Sequence, residues 1–578
     1  MALPFVTDSR RLTGASLVLD VPGAILEVTA PTQHRVKLRV LWRGYARKLL
    51  DRIGWEREQV VTRDQGGSQI FAISAPIDGL LPATYITEWA WEAALFRMQL
   101  GERPSNIATA CDDILSQIVK EAKPGLAALF TAARLRGVTA LLEKELSLGE
   151  GENCRIYPLD DLPLPDEIAW SSKRRRIPIV LVTGTNGKTT TVRLLAKMAR
   201  EAGFNAGFCS TDYVQVGTEI LQRDDYSGPT GARFVLRHPN TELAVLEVAR
   251  GGMLRRGLQV TDADVGLVTN VADDHLGENG VHTLDQLAEA KFTIVRGLRA
   301  DAPVVVNADD LHCRAYARRL NHPIIWFSLN RPQPDVLKGK RARLGFCYVE
   351  SGFLVREIAG VLESVIAVAD VPITLNGAAR YNTANALAAL ATASALNFPI
   401  KAIRRALAQF GLDASDNPGR ANLFNINGAR VIADYGHNPE GIAALLQASM
   451  ALPAKRRLVV VGLAGDRSDD AARQVGTLLG QLKFDRIIVK ELLGYLRGRA
   501  EGELSGILLK ALRAQRFAKS KISYVRTDAE AMTQTLAWLK PGDLAVLFLH
   551  ENLAELTAKL AALSQPEPQP KPESVAQR

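Results

Sequence analysis

The sequence predicts an α/β protein in three parts: an N-terminal α+β domain, a central phosphate-loop domain on a mostly parallel sheet, and a C-terminal Rossmann-like domain. Three observations lead there. At residues 177–198 a short apolar run stops at a glycine-rich loop, and apolar residues at helical spacing follow it. From 171 to 417 strand-like apolar runs alternate with helix-like segments, the pattern of a parallel sheet covered on both faces. The same alternation resumes at 418 and continues to 564.

In chain order, residues 1–170 form the N-terminal domain. Leu17–Val21 and Val36–Trp42 read as strands. Tyr85–Leu100 reads as a helix, with Ile86, Trp89, Ala90, Ala93, Ala94 and Phe96 mostly on one side, and Leu126–Arg136 as a second. Trp89 and Trp91 read as core or interface residues. No chemical motif appears in this region.

The central domain, 171–417, opens with Ile177–Val182 and then Thr183-Gly184-Thr185-Asn186-Gly187-Lys188-Thr189-Thr190-Thr191. Val192, Leu194, Leu195 and Met198 follow at helical spacing. Glycines let backbone N–H groups crowd a phosphate, and the helix N-terminus adds partial positive charge. Lys188 can reach terminal phosphates and the Thr189 hydroxyl can hold Mg²⁺. Two residues separate Gly184 from the Gly187-Lys188 pair where the general pattern has four, so the loop is a compact variant. Further strands are expected at Leu243–Leu246, Val265–Thr269 and Val304–Val306, with helices near Leu284–Leu298 and Asn382–Leu396.

Polar residues then fall at strand C-termini, the active edge of a parallel sheet. Glu247 closes one strand, and a carboxylate there suits Mg²⁺. Asn270, Asp273, Asp274 and His275 follow the next strand, with His275 able to ligate a second ion. Lys291 reads by pattern as an ordinary helix lysine. The C-terminal domain, 418–564, has strands at Val431–Asp434, Leu458–Gly462, Ile487–Val489 and Leu544–Leu549. The proline-rich tail 565–578 cannot bury a core and reads as disordered.

Composition bounds the rest. The 578 residues are 47% hydrophobic, with a net charge of +9. That charge fits an anionic partner without choosing among nucleotide, acidic polymer and nucleic acid. The basic run Lys173–Arg176 lacks the length and aromatic interleaving of a nucleic-acid arm and reads as a linker. No apolar run reaches the ~18 residues that span a bilayer. The N-terminus lacks a basic segment followed by an apolar core, so a cytoplasmic protein without membrane or nucleic-acid partners is expected. Five separated cysteines without a Cys-x-x-Cys pair argue against zinc and a disulfide framework.

Six motifs now stand in order: Gly184–Thr190, Glu247, Asn270 to Leu276, Lys291, Asn382-x-x-Asn385 with Pro418-Gly419-Arg420, and Asp434-Tyr435-Gly436-His437-Asn438-Pro439. Together they resemble the ATP-dependent Mur ligase family, over about 400 residues. Gly228–Arg237, Glu247–Arg255, Asn417–Phe424, Gly465-Asp466-Arg467 and Asp485–Glu491 resemble one branch, the C-terminal half of cyanophycin synthetases. Those synthetases carry an ATP-grasp ligase before that half, for which this chain has no room. After Lys490-Glu491 the branch continues with acidic residues, whereas here Leu492, Leu493 and Leu496 precede Arg497 and Arg499.

The resemblance implies amide-bond formation through an acylphosphate, with ATP and two Mg²⁺ sites. Gly184, Thr185, Asn186, Gly187, Lys188, Thr189 and Thr190 would bind phosphates. Thr189, Glu247 and His275 would hold metal, and Lys291 would be carbamylated. Asn382 and Asn385 would lie near the base, Arg420 at phosphate, Asp434 at ribose and His437 in the domain cleft. Lys188, Lys291 and His275 are the expected catalytic residues. An acidic peptide or polymer and an amine donor are the implied substrates. A homo-oligomer, or association with a related synthetase, is the implied assembly. A non-catalytic ATP- or polymer-binding partner of a synthetase is the competing reading, and a wall-precursor or folate-type ligase a third. Arg497 and Arg499 are candidates for an acidic substrate group.

Overall fold

The computed structural model describes residues 3–170, 176–273, 276–277, 279–331 and 343–564. Asp274, His275, most of the basic run at 173–176, and the tail 565–578 lie outside them. The chain forms two compact units, one of residues 1–365 with 385–406, the other of 366–384 with the remainder.

The first unit begins with a four-stranded antiparallel sheet of β1 (Phe5–Leu12), β2 (Gly23–Thr29), β3 (Val60–Asp64) and β4 (Gln69–Ser74), in the order β1-β2-β4-β3. Helices α1 (Thr32–Arg52), α2 (Leu80–Arg97), α3 (Ile107–Glu121) and α4 (Pro124–Leu135) pack with it in one core. The α2 and α4 segments fall where the helical periodicity set them. The two strands expected here do not form. Val36–Trp42 lies inside α1, where Leu38, Trp42, Ala46 and Leu49 are buried at helical spacing. Val36 and Val40, which made the alternation, are 64% and 67% exposed. Leu17–Val21 is a turn. The Ser16 hydroxyl accepts from the N–H groups of Val18 and Leu19, and Pro22 follows.

A small sheet of β5 (Ala140–Leu142), β6 (Glu145–Leu148) and β7 (Arg155–Pro158) leads to the large one. That sheet holds β8 (Ile179–Thr183), β9 (Ala206–Cys209), β10 (Tyr213–Val216), β11 (Glu219–Arg223), β12 (Leu243–Glu247), β13 (Val265–Val268), β14 (Val304–Asn307) and β15 (Ile324–Ser328). It continues through β16 (Arg343–Glu350), β17 (Phe353–Ile358) and β18 (Val361–Ala367). The order is β11-β10-β9-β12-β8-β13-β14-β15-β16-β17-β18 among the described residues. Strands β9, β12, β8, β13, β14, β15 and β16 run parallel. Their residues are almost all buried, as strands covered on both faces require. The connections include α5 (Lys188–Glu201), α6 (Pro229–Arg237), α7 (Arg250–Arg256), α8 (Leu284–Phe292) and α9 (Leu311–Ala317).

Helices α10 (Arg380–Ala395) and α11 (Ile400–Gln409) follow, and the division between the units falls within them. The second unit is a six-stranded sheet of β19 (Asn422–Ile426), β20 (Ala429–Asp434), β21 (Arg457–Val461), β22 (Arg486–Lys490), β23 (Ile522–Val525) and β24 (Leu544–Phe548). Its order is β19-β20-β24-β21-β22-β23, parallel except for β19. Helices α12 (Pro439–Ala451), α13 (Asp469–Gln481), α14 (Glu503–Ala514), α15 (Asp528–Trp538) and α16 (Leu553–Leu563) cover it. Among the described residues no helix is long and apolar enough to cross a membrane.

Candidate active site

Strands β12, β8 and β13 lie side by side, so Glu247, the 184–187 loop and the Asn270 loop leave the sheet at one edge. The loop conformation depends on its glycines. Gly184 has φ +152°, and a Cβ there would meet Thr269 Oγ1 at 1.8 Å. Gly187 has φ +83° and caps α5, and a Cβ there would meet Asn385 Oδ1 at 2.1 Å. Only glycine accepts both the backbone angle and the approach.

The Asn270 loop holds the phosphate loop from behind. Asn270 accepts from Asn186 N–H at its Oδ1 (2.8 Å) and donates from its Nδ2 to the Asn186 carbonyl (3.1 Å). Thr269 Oγ1 donates to that same carbonyl at 2.7 Å, and Thr185 Oγ1 donates to Ala272 O at 3.1 Å. The Lys188 ammonium folds back and donates to Thr185 O at 2.9 Å. Helix α5 starts directly after the loop, and the partial positive charge of a helix N-terminus favours an anion at this end.

Glu247 is 1% exposed. Thr189 Oγ1 donates to its Oε2 at 2.9 Å and Thr211 Oγ1 to its Oε1 at 2.9 Å. Among the described residues it forms no ion pair. A buried carboxylate is stable when paired or bound to a metal, and these two hydroxyls supply hydrogen bonds without countercharge. An all-oxygen set of a carboxylate and two hydroxyls fits Mg²⁺. Thr190 is buried at the start of α5. Lys291, on α8, is 4% exposed. It sits near Cys313, where its charge opposes the rise that burial imposes on that thiol. A lysine this buried is not an ordinary helix lysine.

Three residues of this site, Thr211, Asp310 and Thr269, were not singled out from the sequence. Thr211 follows β9, the strand beside β12, and its place at a strand C-terminus was a usable signal. Asp310 follows β14 in the same way, caps α9 and accepts from Val271 N–H at 2.7 Å. Thr269 reads from sequence as the end of a strand and acts as a loop anchor.

The remaining predicted residues belong to the second unit, apart from Asn385 in the first. Asn382 is buried and donates to Ile373 O at 2.8 Å. Asp434 accepts from the N–H groups of Ala421 (2.7 Å) and Gly436 (2.6 Å). Burial raises its pKa, and the Arg420 charge opposes the rise. Arg420 stacks over Tyr435 at 4.9 Å, and Tyr435 lies 5.5 Å from the His437 ring. Beside them Lys490 pairs with Asp528 at 2.5 Å and reaches His550 Nδ1 at 3.3 Å. Burial, with the Lys490 charge, pushes His550 well below the usual histidine range.

The run after Glu491 is also fixed. Leu492 is 2% exposed, so its apolar character serves the interior. Arg499 donates to Gly465 O (2.9 Å) and Arg467 O (3.1 Å) and pairs with Glu503 and Asp469. Its donors hold two loops together. Arg497 stands over Tyr495 at 5.5 Å.

The chain resembles known proteins over its central and C-terminal parts. Residues 182–393 match the Mur ligase middle domain, and 419–548 the Mur ligase glutamate ligase domain. The cyanophycin synthetase of Crocosphaera subtropica is 36% identical over 412 residues, 70% of this chain and 47% of its own. That of Synechocystis is 37% identical over 412 residues, 70% and 46%. The chain thus spans about half the length of these relatives. The UDP-N-acetylmuramoyl-L-alanyl-D-glutamate–2,6-diaminopimelate ligase of Listeria innocua is 26% identical over 364 residues, 60% of this chain and 69% of its own. Escherichia coli FolC, solved with ADP, shares the fold with a TM-score of 0.50 at 22% identity, covering 67% of this chain and 89% of that one. By its two consecutive Mur ligase domains, the chain belongs to the Mur ligase family.

Proposed function

We propose that the protein is an ATP-dependent carboxylate–amine ligase, similar to cyanophycin synthetase, that joins an amine to an acidic peptide or polymer. The observation that carries this reading is the buried Glu247 carboxylate, bonded by Thr189 and Thr211 at the sheet edge that also bears Lys188. A substrate carboxylate oxygen attacks the γ-phosphorus of ATP and ADP leaves. The amine then attacks the acyl carbon, loses a proton, and phosphate departs with the former carboxylate oxygen. A carboxylate alone is a poor acyl donor, and phosphorylation supplies the leaving group.

In this reading Lys188 and the loop N–H groups orient the β- and γ-phosphates, work that is mostly positioning and charge neutralisation. Thr189 and Glu247 would hold one Mg²⁺, and His275 would contribute to a second site. Bound Mg²⁺ neutralises charge developing on the phosphates. Lys291 would act as a carbamate, because an ammonium would repel Mg²⁺ whereas a carbamate offers anionic oxygens. Asn382, Asn385, Arg420, Asp434 and His437 contact the nucleotide. The cyanophycin synthetases in the comparison support the acidic-polymer class over wall precursors, since identity to them is higher.

The test is release of ADP and phosphate from ATP and Mg²⁺ across a panel of acidic peptides, polyaspartate and amines, with Lys188→Ala as control. Acceptor-dependent ADP release, lost in the variant, is expected. ATP binding without turnover on any acceptor would favour a non-catalytic partner.

A further inference from the structure

We propose that the N-terminal β3–β4 hairpin braces α8, and that Arg63 is a positioning residue for Lys291. The catalytic part of this inference rests on the proposed ligase reading. The hairpin meets α8 and the segment before it at four points. Arg63, on β3, grips Glu289 of α8 with both guanidinium nitrogens, one at 2.6 Å. Gln286 of α8 donates from its Nε2 to Gln65 O in the hairpin turn at 2.8 Å. The Oε1 of that same Gln286 accepts from His282 N–H (2.7 Å) and Thr283 N–H (3.1 Å), closing the capping box of α8. One side chain therefore both starts the helix and ties it to the hairpin.

Backbone approaches complete the contact. Gly280 has φ +72°, and a Cβ there would meet Gln65 Oε1 at 2.1 Å, Glu27 Oε1 at 2.7 Å and Ser68 Oγ at 2.9 Å. A Cβ on Gly67 in the turn would meet the His282 ring at 2.8 Å. Beneath, Ile25, Ile70 and Ala72 of the N-terminal sheet share one core with Val281, Leu287, Ala288 and Ala290. Glu289 is two residues from the buried Lys291 on a helix of nine residues. A short helix moves as a body, so a grip at Glu289 and Gln286 sets where Lys291 sits. The Arg63–Glu289 pair is partly exposed, with side chains 25% and 31% accessible. Such a pair contributes little to global stability, so its main effect is local.

The test uses the full chain as wild type, Arg63→Ala, Glu289→Arg and the swapped pair Arg63→Glu with Glu289→Arg. Hydrogen exchange reads α8 directly. In Arg63→Ala, amides of 284–292 should exchange about fivefold faster while those of 188–201 stay unchanged. The melting temperature should hold. Steady-state kinetics should show a kcat about tenfold lower, as slight misplacement of a group that orients the reactants produces, with KM for ATP within about twofold. The swapped pair should recover most of both the protection and kcat. Unchanged exchange at 284–292 in Arg63→Ala would overturn the brace. Faster exchange with unchanged kcat would overturn its role in positioning Lys291. Absence of turnover by the wild type counts against the ligase reading alone, and the exchange result then decides the brace.

Discussion

Glu247 and Lys291 are the two residues whose surroundings ask most of their chemistry. Each is an ionisable group buried beside the phosphate-loop sheet, and neither is common in a protein interior without a functional partner. Lys188 differs, being half-buried and, among the described residues, bonded to its own loop through Thr185 O. Lys188→Ala should therefore fold normally by circular dichroism and lose ATP turnover; near-normal ADP release would remove the phosphate-loop role. Lys291→Ala should lose activity and regain part of it with added short carboxylates, which can stand in for a carbamate. Turnover equal to wild type would end the carbamate proposal. In the second unit, Asp528 is the ion-pair partner of buried Lys490 and accepts the His550 and Glu551 N–H groups. Asp528→Ala strands that ammonium and should destabilise the second unit by about 3–5 kcal/mol. Denaturant titration followed by exchange or fluorescence of that unit measures the loss.

At the scale of elements, the strand–loop–helix of 179–201 was legible because every level agreed: apolar run, glycines, lysine and helical period. The helices α2 and α4 and the strands β12, β13, β14, β20, β21, β22 and β24 were legible from period and length. Helix α1 was not, because Val36, Leu38, Val40 and Trp42 also satisfy a two-residue alternation. The burial of Ala46 and Leu49 one and two turns on decides for the helix, and tertiary packing against the sheet selects that face. The phosphate loop offers a local test. Gly187→Ala imposes a side chain at φ +83° and within 2.1 Å of Asn385 Oδ1. It should cost about 1–3 kcal/mol of stability and weaken nucleotide binding. A melting curve and calorimetric titration with ATP and Mg²⁺ check both; an unperturbed affinity would mean the loop tolerates a different conformation. The motif residues could be named from sequence; the hydroxyl of Thr211 and the anchors Thr269 and Asp310 were not, although each stands at or just after a strand C-terminus. Their roles arise only when the sheet order sets β9 beside β12, β13 beside β8 and β14 beside β13.

For the molecule as a whole, the substrate is the part least written in the fold. Two of the carboxylates near the Leu492–Arg499 run are engaged by arginines, and a third, Glu551, accepts from Gly494 N–H at 2.6 Å. Glu501 pairs with Arg526 and Glu503 with Arg499. A guanidinium entering there would lose hydration with little return, so free arginine should be a poorer amine donor than neutral or acidic amines or a longer peptide. Competition assays with polyaspartate as acceptor test this, and highest turnover with arginine would contradict it. The central claim, activation of a carboxylate by ATP, has a more direct test. An acceptor whose carboxylate carries ¹⁸O is incubated with ATP, Mg²⁺, an amine donor and the enzyme, and the released phosphate is weighed by mass spectrometry. An acylphosphate pathway transfers one ¹⁸O atom to phosphate for each amide formed. Release of ADP with phosphate that carries no ¹⁸O, while the amide forms, would contradict the account.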